Sequence, residues 1–267
     1  MVAKPGEGWP GDLATARTPV AQSSEEVVVL AQSARKMDAL SARVSVCRAC
    51  PRLVDWREEV ARTGRASYAG QPYWGRPIAG MGPADARVAI VGLAPAAHGG
   101  NRTGRVFTGD RSGDWLFAAL HRAGFARLQT SVSADDGQEL FDTRMLAAVR
   151  CAPPQNAPTP AERDTCRPWL ERELSLLRPS LRVVVALGGF AWDGLWPVLT
   201  AVGYTMPRPK PRFGHLVEAV TSDGLLLVAS FHPSQQNTFT GRLTEPMLDA
   251  VFARVQDHLE PDGPGRS

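Results

Sequence analysis

Four short apolar runs, separated by stretches with helical patterning, constrain the fold of this chain more than any other feature. The runs are Arg87–Gly92, Arg144–Arg150, Arg182–Gly188 and Leu225–Phe231. Nearly continuous runs of this length are typical of strands buried on both faces. The predicted helices are Gly113–Ala123, Pro160–Leu177, Phe190–Val202 and Pro246–Leu259. This alternation predicts a three-layer α/β fold, in which a mostly parallel four-stranded sheet lies between helices.

The predicted domain occupies residues 26–260, between a mobile N-terminal tail over 1–25 and a C-terminal tail over 261–267. The first 25 residues are rich in Gly, Pro, Ala and Thr, which suits a tail. Residues 26–42 have helical character, and Pro51–Thr63 begins with proline at a favoured helix start. We therefore expect an N-terminal helical extension of the domain.

Composition narrows the class of protein. A net charge of +3 with 43% hydrophobic residues excludes global disorder. No apolar run approaches the roughly 20 residues of a membrane-spanning helix, so no membrane partner is expected. The first residues contain no apolar core of a secretory signal, which predicts an intracellular protein. All but three of the 30 basic residues are arginine, which suits phosphate binding, although a GC-rich genome explains the excess equally well.

Four cysteines, Cys47, Cys50, Cys151 and Cys166, form the most distinctive set of reactive side chains. The first two form a Cys-x2-Cys pair, and 14 residues separate the other two. In an intracellular chain, disulfides are rare, and such cysteines more often bind metal or take part in catalysis. The sequence therefore predicts a metal or catalytic site that includes these thiols.

Three of the four predicted strands lead into polar loops, at the edge where parallel sheets bind ligands. The loop after the first strand reads GLAPAAHGGNRTGRVFTGD from Gly92 to Asp110. Its glycines permit close backbone approach, and Arg102 and Arg105 are candidate phosphate contacts. It is not a Walker A loop, because no Gly-Lys-Ser/Thr follows. We expect a ligand-binding loop rather than a plain surface loop.

The last predicted strand leads into FHPSQQNTFTGRLT, residues 231–244. His232 stands at the end of this strand and points into the shared crevice; taken alone, it suits a structural role as well as a catalytic one. The amide, hydroxyl and arginine side chains that follow can enter a DNA groove. The candidate DNA-binding residues are Ser234, Gln235, Gln236, Asn237 and Arg242, together with Arg102 and Arg105.

Together these motifs resemble the uracil-DNA glycosylase superfamily. Gly-Leu-Ala-Pro-Ala after the first strand, His-Pro-Ser after the last, and four cysteines in this order carry the resemblance. The longer strings GLAPAAHGGNRTGRVFTGDRSG and HPSQQNTFTGRLT are similar to the family 5 (type b) enzymes. The resemblance implies a short parallel sheet between helices. It also implies a monofunctional glycosylase that flips and excises uracil from DNA, initiating base excision repair.

By the same resemblance, the four cysteines hold a [4Fe-4S] cluster, the expected cofactor. One close pair plus two more distant thiolates is compatible with that role. A structural zinc site is the alternative, although zinc ribbons usually contain two close pairs. Unligated thiols are a third possibility. A cluster bound between residues 47 and 166 would tie the N-terminal helices to the sheet domain and would have a structural role.

The resemblance also assigns roles in the base pocket. His232 corresponds to the histidine that donates to uracil O2 as negative charge develops there. Phe107 corresponds to the aromatic residue that stacks on the flipped base, with a core phenylalanine as the alternative. The remaining predicted base-binding residues are Gly92, Ala94 and His98.

The water-activating residue departs from many relatives, which carry an acidic residue in the first motif. Leu93 and Ala94 occupy that region here, and neither can take a proton. The family 5 resemblance makes Asp110 the substitute, while the alternative is that Asp110 only caps the helix that follows. Asn156 is the third predicted catalytic residue, which contacts the base or orients water, with a turn asparagine as the alternative.

Substrate range is predicted from a missing amide. Family 4 enzymes carry a uracil-reading asparagine a few residues before the third cysteine, but here that segment is Leu146–Arg150 and contains no amide. A pocket without it is expected to discriminate bases poorly. We therefore predict excision of hypoxanthine besides uracil, and extend the expectation to xanthine and oxidised uracils.

Other functions of the same residues stay open. A catalytically weak iron–sulfur or zinc nucleic-acid-binding module is favoured by Leu93 and Ala94. An electron carrier would not need the His-Pro-Ser motif, and a relative that forms a stable DNA adduct has a different first motif. The expected partners are double-stranded and single-stranded DNA with deaminated bases. We expect a cytoplasmic, nucleoid-associated monomer.

Overall fold

The computed structural model describes residues 2–260, which contain a five-stranded sheet. The strands are β1 (Val88–Gly92), β2 (Thr143–Ala147), β3 (Val183–Leu187), β4 (Glu218–Val220) and β5 (Leu226–Ser230). Their order is β2-β1-β3-β5-β4, with every pairing parallel except that of β4 with β5. The predicted α/β fold with a mostly parallel sheet is confirmed.

The four parallel strands coincide with the predicted runs, and their ends differ from the ends of the runs by at most three residues. Every residue of these strands is buried, which explains why their sequences are apolar without alternation. The fifth strand, β4, was not predicted. It is three residues long at the sheet edge, with only its central residue Ala219 buried, so it leaves no apolar run in the sequence.

Helices cover both faces of the sheet, as the three-layer prediction requires. The helices among the described residues are α1 (Ser24–Gln32), α2 (Met37–Ser45), α3 (Pro51–Thr63), α4 (Gly100–Thr103), α5 (Arg111–Arg122), α6 (Pro160–Leu177), α7 (Gly189–Val202), α8 (Gln235–Phe239) and α9 (Glu245–Leu259). One face packs against α1, α2, α6 and α7, and the other against α5 and α9. None of these helices combines the length and the apolar composition needed to cross a membrane.

The predicted helix over residues 26–42 is two helices, α1 and α2. The hydroxyl of Ser33 donates to the Val29 carbonyl at 2.8 Å, and the Arg43 guanidinium reaches back to the Leu30 carbonyl at 2.6 Å. These bonds satisfy carbonyls at the end of α1, so that the helix stops there. Helical periodicity continued across the break and hid it.

The segment 2–23 packs on the domain, contrary to the mobile tail that its composition predicted. The Trp9 indole donates to the Thr103 carbonyl at 3.2 Å. The Asp12 carboxylate forms a buried ion pair with Arg76, at 2.7 Å. Glycine and proline here make turns between buried contacts, which composition alone cannot distinguish from a loose tail. The predicted C-terminal tail, 261–267, lies outside the described residues.

Candidate active site

A cavity of about 310 Å³ opens beyond the carboxyl ends of β1 and β2 and of the strand before His232, at the edge predicted to bind a ligand. It is lined by Gly92, Leu93, Ala94, Pro95, Ala96, Val106, Phe107, Asp110, Ser112, Ala147, Asn156, His232 and Ser234. Apolar walls with a few convergent polar groups are typical of sites for small ligands. Gly92, Ala94, Phe107 and the three predicted catalytic residues therefore share one cavity.

Phe107 is held in this cavity by two glycines. A Cβ on Gly92 would lie 2.6 Å from Cζ of the Phe107 ring, so only glycine lets the ring lie against the end of β1. A Cβ on Gly113 would lie 1.9 Å from the Phe107 carbonyl oxygen. Phe107 itself has a left-handed φ of 51°, an uncommon conformation for a bulky residue. The Phe107 ring therefore lines the cavity while it also packs against the apolar cluster on this face of the sheet.

His232 follows β5 and faces Phe107, with ring centroids 6.1 Å apart and planes inclined by 33°. The Asn237 side chain donates to the His232 carbonyl at 2.8 Å and ties the histidine to α8. Burial lowers the pKa of His232 to about 4. The imidazole is therefore neutral near pH 7, and one ring nitrogen carries a proton that it can donate.

Asp110 caps α5, as the capping interpretation expects, and it also lines the cavity. Its Oδ1 accepts from the Gly113 amide at 3.0 Å, the geometry of a helix N-cap. The carboxylate also packs on Gly99, where a Cβ would lie 2.2 Å from Oδ2. Burial raises the pKa of Asp110 above its usual value, against opposing hydrogen bonds from the Gly113 and Ser112 amides.

Asn156 ends a short 3-10 turn, Pro154–Asn156, at the mouth of the cavity. Its φ of 56° is the left-handed conformation that asparagine tolerates well, which accounts for the turn interpretation. The residue is exposed and lines the cavity, which leaves its carboxamide accessible to a ligand. Ser112, at the start of α5, also lines the cavity. Ser112 is not among the predicted site residues, although its position two residues after Asp110 is a signal in the sequence.

His98 does not line the cavity, contrary to its predicted base-binding role. Its Nδ1 lies 3.0 Å from the Tyr73 hydroxyl, within hydrogen-bond distance. Burial lowers the pKa of His98, with further contributions from Arg65 and Arg102. Tyr73 lies 25 residues earlier in the chain, so the loop sequence gave no sign that the imidazole would be engaged there.

Arg105 was predicted to contact DNA phosphate, but its guanidinium is engaged by other groups of the protein. Its guanidinium pairs with Asp136 at 2.6 Å and donates to the Ser131 hydroxyl at 2.6 Å. The side chains of Arg105 and Asp136 are only 11% and 8% exposed. Arg105 therefore fastens the loop after β1 to the segment before β2.

Arg102 is also engaged, although it lies nearer the surface. Its guanidinium donates to the carbonyls of His98 and Gly109 and to the Gln71 side chain. It stacks on the Tyr68 ring at 4.1 Å from the centroid. These contacts hold the loop in shape. They also compete with DNA phosphate for the Arg102 guanidinium, which was predicted to bind it.

The remaining predicted DNA-binding residues lie around α8, beside the cavity. Gln235 and Gln236 are exposed on this helix, and Arg242 follows it, stacked 4.6 Å above the Phe231 ring. Phe239 is 66% exposed, and the guanidinium of Arg111, next to Asp110, lies 4.6 Å from its ring centroid. This rim therefore presents amides, two cationic groups and one exposed aromatic ring.

The four cysteines line a second, small cavity between α3, α6 and the segment after β2. Cys50 caps α3, Cys166 lies on α6, and Cys151 follows β2. Burial raises the pKa of the Cys47 thiol, and raises that of Cys50 to about 12; repulsion from neighbouring cysteines adds to both shifts. All four thiols line this one cavity, so neighbouring thiolates would repel one another unless a bound cation balanced their charge.

The surroundings of this cavity suit an anionic metal–thiolate group. The Arg57 guanidinium donates to Cys151 Sγ at 2.9 Å, and the Arg150 amide donates to Cys166 Sγ at 3.3 Å. The buried Nε of Arg57 has no hydrogen-bond partner among the described residues. Among residues 2–260, no three His, Cys, Asp or Glu side chains are arranged to hold a single metal ion. The thiols instead surround a space with N–H donors at its wall.

Comparison with known proteins agrees with these motifs. Residues 79–256 match the Uracil DNA glycosylase superfamily. A type-5 uracil-DNA glycosylase of Mycobacterium bovis is 57% identical over 95% of this chain and 93% of that protein. A type-5 enzyme of Thermus thermophilus is 47% identical over 80% of this chain and 94% of its own length. A type-4 enzyme of Thermotoga maritima is 30% identical over 74% of this chain and 81% of its own length.

The matched region contains the whole sheet, both loops that form the cavity, and two of the four cysteines. The resemblance read from the two motifs is thereby confirmed. The chain belongs to the uracil DNA glycosylase superfamily, among its type-5 enzymes.

Proposed function

We propose that this uracil-DNA glycosylase holds a flipped base in the cavity of Phe107, Asp110 and His232 and hydrolyses its N-glycosyl bond. The meeting of these three side chains in one cavity carries the proposal. They supply a stacking surface, a carboxylate and a neutral hydrogen-bond donor. A glycosylase needs all three, because it must hold an extrahelical base, activate water and stabilise the departing base.

The base stacks on Phe107, whose ring lies against Gly92 at the end of β1. Asn156 offers a carboxamide from the opposite loop, and the Ser112 and Ser234 hydroxyls are further polar groups of the lining. Amide and hydroxyl groups can donate or accept, and therefore suit the edges of more than one base. These groups bind and orient the base before its bond breaks.

His232 stabilises the leaving base. When the N-glycosyl bond breaks, the bonding electrons pass to the base, and the negative charge spreads to its carbonyl oxygens. A neutral imidazole donates a hydrogen bond to that oxygen without first surrendering a proton to solvent. The pKa of about 4 supports this role, since the ring is uncharged at physiological pH. A fixed donor in a dry cavity is worth more in the transition state than in water.

Asp110 activates the water. As the water oxygen attaches to C1′ of the oxocarbenium-like sugar, a proton passes from the water to the carboxylate and afterwards to the base anion. The raised pKa supports this role, because a more basic carboxylate takes a proton more readily. The Gly113 amide holds Oδ1 and so fixes the orientation of the carboxylate.

The proposed substrate range extends beyond uracil to hypoxanthine, xanthine and oxidised uracils. Ala147 is the residue of the segment before Cys151 that lines the cavity, and it offers no side-chain donor. Asn156 is the one carboxamide among the lining residues, and it lies on an exposed turn. A pocket with few fixed donors penalises a wrong base weakly, because few buried groups are left unpaired.

A panel of duplexes tests the function and the range. Duplexes that contain uracil, hypoxanthine, xanthine or mismatched thymine are incubated with enzyme, and alkaline cleavage reports excision. We expect excision of uracil and hypoxanthine by the wild type, loss of both in Asp110→Asn, and retention in Asp114→Asn, an exposed acid of the same helix turn. Excision of uracil alone would contradict the range, and binding without excision would favour a binding module.

The proposed DNA interface is the rim around α8, with Ser234, Gln235, Gln236 and Arg242 as contacts and the loop 235–244 as the part that enters the duplex. The exposed Phe239 ring supports insertion, because apolar side chains that unstack bases are common in proteins that kink DNA. We further propose action on double- and single-stranded DNA, by a monomer at the nucleoid in the cytoplasm.

We also propose that Cys47, Cys50, Cys151 and Cys166 hold a [4Fe-4S] cluster. When bound, the cluster would cross-link α3, α6 and the segment after β2 and supply structural support. The shared cavity and its N–H donors support the assignment. Iron, sulfide and zinc analysis of anaerobically purified protein tests it. We expect iron and sulfide in the wild type and their loss in Cys166→Ser. Stoichiometric zinc without iron would contradict the cluster.

A further inference from the structure

Arg57, on the inner face of α3, is one of the most deeply buried side chains among the described residues. Its side chain is 1% exposed, between the cysteine cavity and the end of α2. A buried guanidinium is costly unless a negative charge or several acceptors compensate it. The partners of Arg57 therefore indicate what this position requires.

The protein supplies Arg57 with almost no compensating charge. Its Nη1 donates to Cys151 Sγ at 2.9 Å and its Nη2 to the Cys47 carbonyl at 3.0 Å. Its Nε has no hydrogen-bond partner in the part of the chain that the structure describes. The neighbouring carboxylate of Glu58 is 3.9 Å away and is already bound by Arg48. Arg57 thus presents a nearly uncompensated positive charge to the cysteines.

A second excess of positive charge borders the same site. Arg150 lines the cysteine cavity and is 1% exposed. It pairs with Glu173 at 2.7 Å, but that carboxylate is shared with Arg144, also at 2.7 Å. Two buried arginines therefore share a single buried carboxylate, which leaves one positive charge in excess.

The anion that balances these charges is the metal–thiolate group itself. Four cysteine thiolates around an oxidised four-iron core carry two negative charges in total. Four neutral thiols carry no charge, so they would leave the excess positive charge of the buried arginines unbalanced. The charge surplus and the Arg57 contact with Cys151 thus point to the same bound group.

We infer that Arg57 is a positioning residue of the cysteine site, which donates to the Cys151 sulfur and balances the charge of the cluster. This inference rests on the proposal that the four cysteines hold the cluster. Outer partners of metal ligands fix the ligand and stabilise its charged form, and hydrogen bonds to cluster sulfurs raise the reduction potential. Arg57 thereby slows cluster loss and favours one-electron reduction of the cluster.

The test compares Arg57→Met and Arg57→Lys with Arg62→Met in the anaerobically purified full chain. Arg62 lies on the last turn of the same helix and is 70% exposed, so its loss changes the net charge equally without affecting the site. The measurements are iron per chain, the rate of iron release to a chelator, and the midpoint potential by voltammetry. None of these depends on glycosylase activity.

We expect Arg57→Met to release iron about 10-fold faster, the low end for losing an outer partner of a metal ligand, and to shift the potential to a more negative value. Arg57→Lys keeps the positive charge, so its iron-release rate and midpoint potential should lie between those of Arg57→Met and the wild type. If the methionine variant does not fold, the lysine variant tests the inference. Arg62→Met matches the wild type. Unchanged release and potential in the Arg57 variants would overturn this inference alone, whereas wild-type protein without iron would overturn the cluster as well.

Discussion

At the scale of single residues, the cavity depends on which side chains have their polar atoms free. Asp110 caps α5 through Oδ1 and is also one of the residues that line the cavity, so a helix cap and a site residue coincide. Arg105 and His98 carry equally reactive groups in the same loop, but Asp136 and Tyr73 engage them. Chemical type made all three residues candidates, and their hydrogen-bond and ion-pair partners separated them.

His232 is expected to act almost entirely on the chemical step. His232→Asn should lower the single-turnover rate of uracil excision by roughly two to three orders of magnitude, the typical effect of removing a donor to developing negative charge. DNA affinity, measured by fluorescence anisotropy, should change little, because the base still stacks on Phe107. His258→Asn, on α9 and outside the cavity lining, is the matched control. An unchanged rate in His232→Asn would remove this residue from the mechanism.

Asp110 is expected to set the acid limb of the pH–rate profile. Its carboxyl must be ionised to take a proton, and burial raises its pKa, so kcat/KM should rise with pH through a midpoint above 3.8. His232 stays neutral above about 4 and adds no limb between pH 5 and 8. The measurement is excision rate against pH at constant ionic strength. An acid limb that persists in the residual activity of Asp110→Asn would assign it to another group.

At the scale of elements, α8 and the residues that follow it form a rim beside the cavity, which we propose as the DNA-binding surface. The helix is five residues long and carries the exposed Phe239, and Asn237 ties it to the His232 carbonyl. Phe239 lies on this rim next to the Arg111 guanidinium, a combination that suits contact with a distorted duplex. α8 therefore links the proposed DNA-binding rim to His232, the proposed donor to the leaving base.

Phe239→Ala should lower excision from double-stranded DNA by roughly fivefold or more, the effect of losing one base–aromatic stack. Single-stranded substrate should lose less, because its bases need no unstacking from a partner strand. The comparison is kcat/KM on uracil in matched single- and double-stranded oligonucleotides. Val29→Ala, a similarly exposed apolar residue at 63% on α1, is the control. Equal losses on both substrates would argue against insertion.

At the scale of the whole molecule, the N-terminal segment and the cysteine site join parts of the chain that lie far apart in sequence. The Asp12–Arg76 pair fastens the first residues to the loop before β1. The cysteine cavity brings α3 against α6 and the end of β2. The cavity lined by Phe107, Asp110 and His232 thus belongs to a domain that includes the N-terminal segment.

Asp12→Asn should lower the free energy of unfolding by about 3 kcal/mol, the low end of the cost of breaking a buried ion pair. The Asp12 and Arg76 side chains are 1% and 6% exposed, so water cannot replace the lost partner. Urea unfolding at pH 7 measures the change. Asp38→Asn, an exposed acid in the first turn of α2, should lie close to the wild type. A similar stability of Asp12→Asn and Asp38→Asn would indicate that the segment 2–23 does not pack stably on the domain.

The parts of the fold that the sequence predicted are those with local causes. The parallel strands followed from continuous apolar runs such as Arg182–Gly188, and the structure has β3 at Val183–Leu187. The edge strand β4 and the break between α1 and α2 were not predicted, because half-exposed residues and a few side-chain caps leave no periodic signal. The cavity lining was predicted where residues belong to a motif, as with Phe107 and His232, and missed at Ser112.

The sequence by itself determined the four parallel strands, the two motif loops, the set of four cysteines and the family. These depend on residue types close together in the chain, whose patterns survive without knowledge of what they contact. Only the tertiary structure decided which side chains remain free. The partner of Arg105 is 31 residues away and that of Arg57 is 94 residues away. Such pairs form only when the fold brings distant segments together, and no local pattern records them.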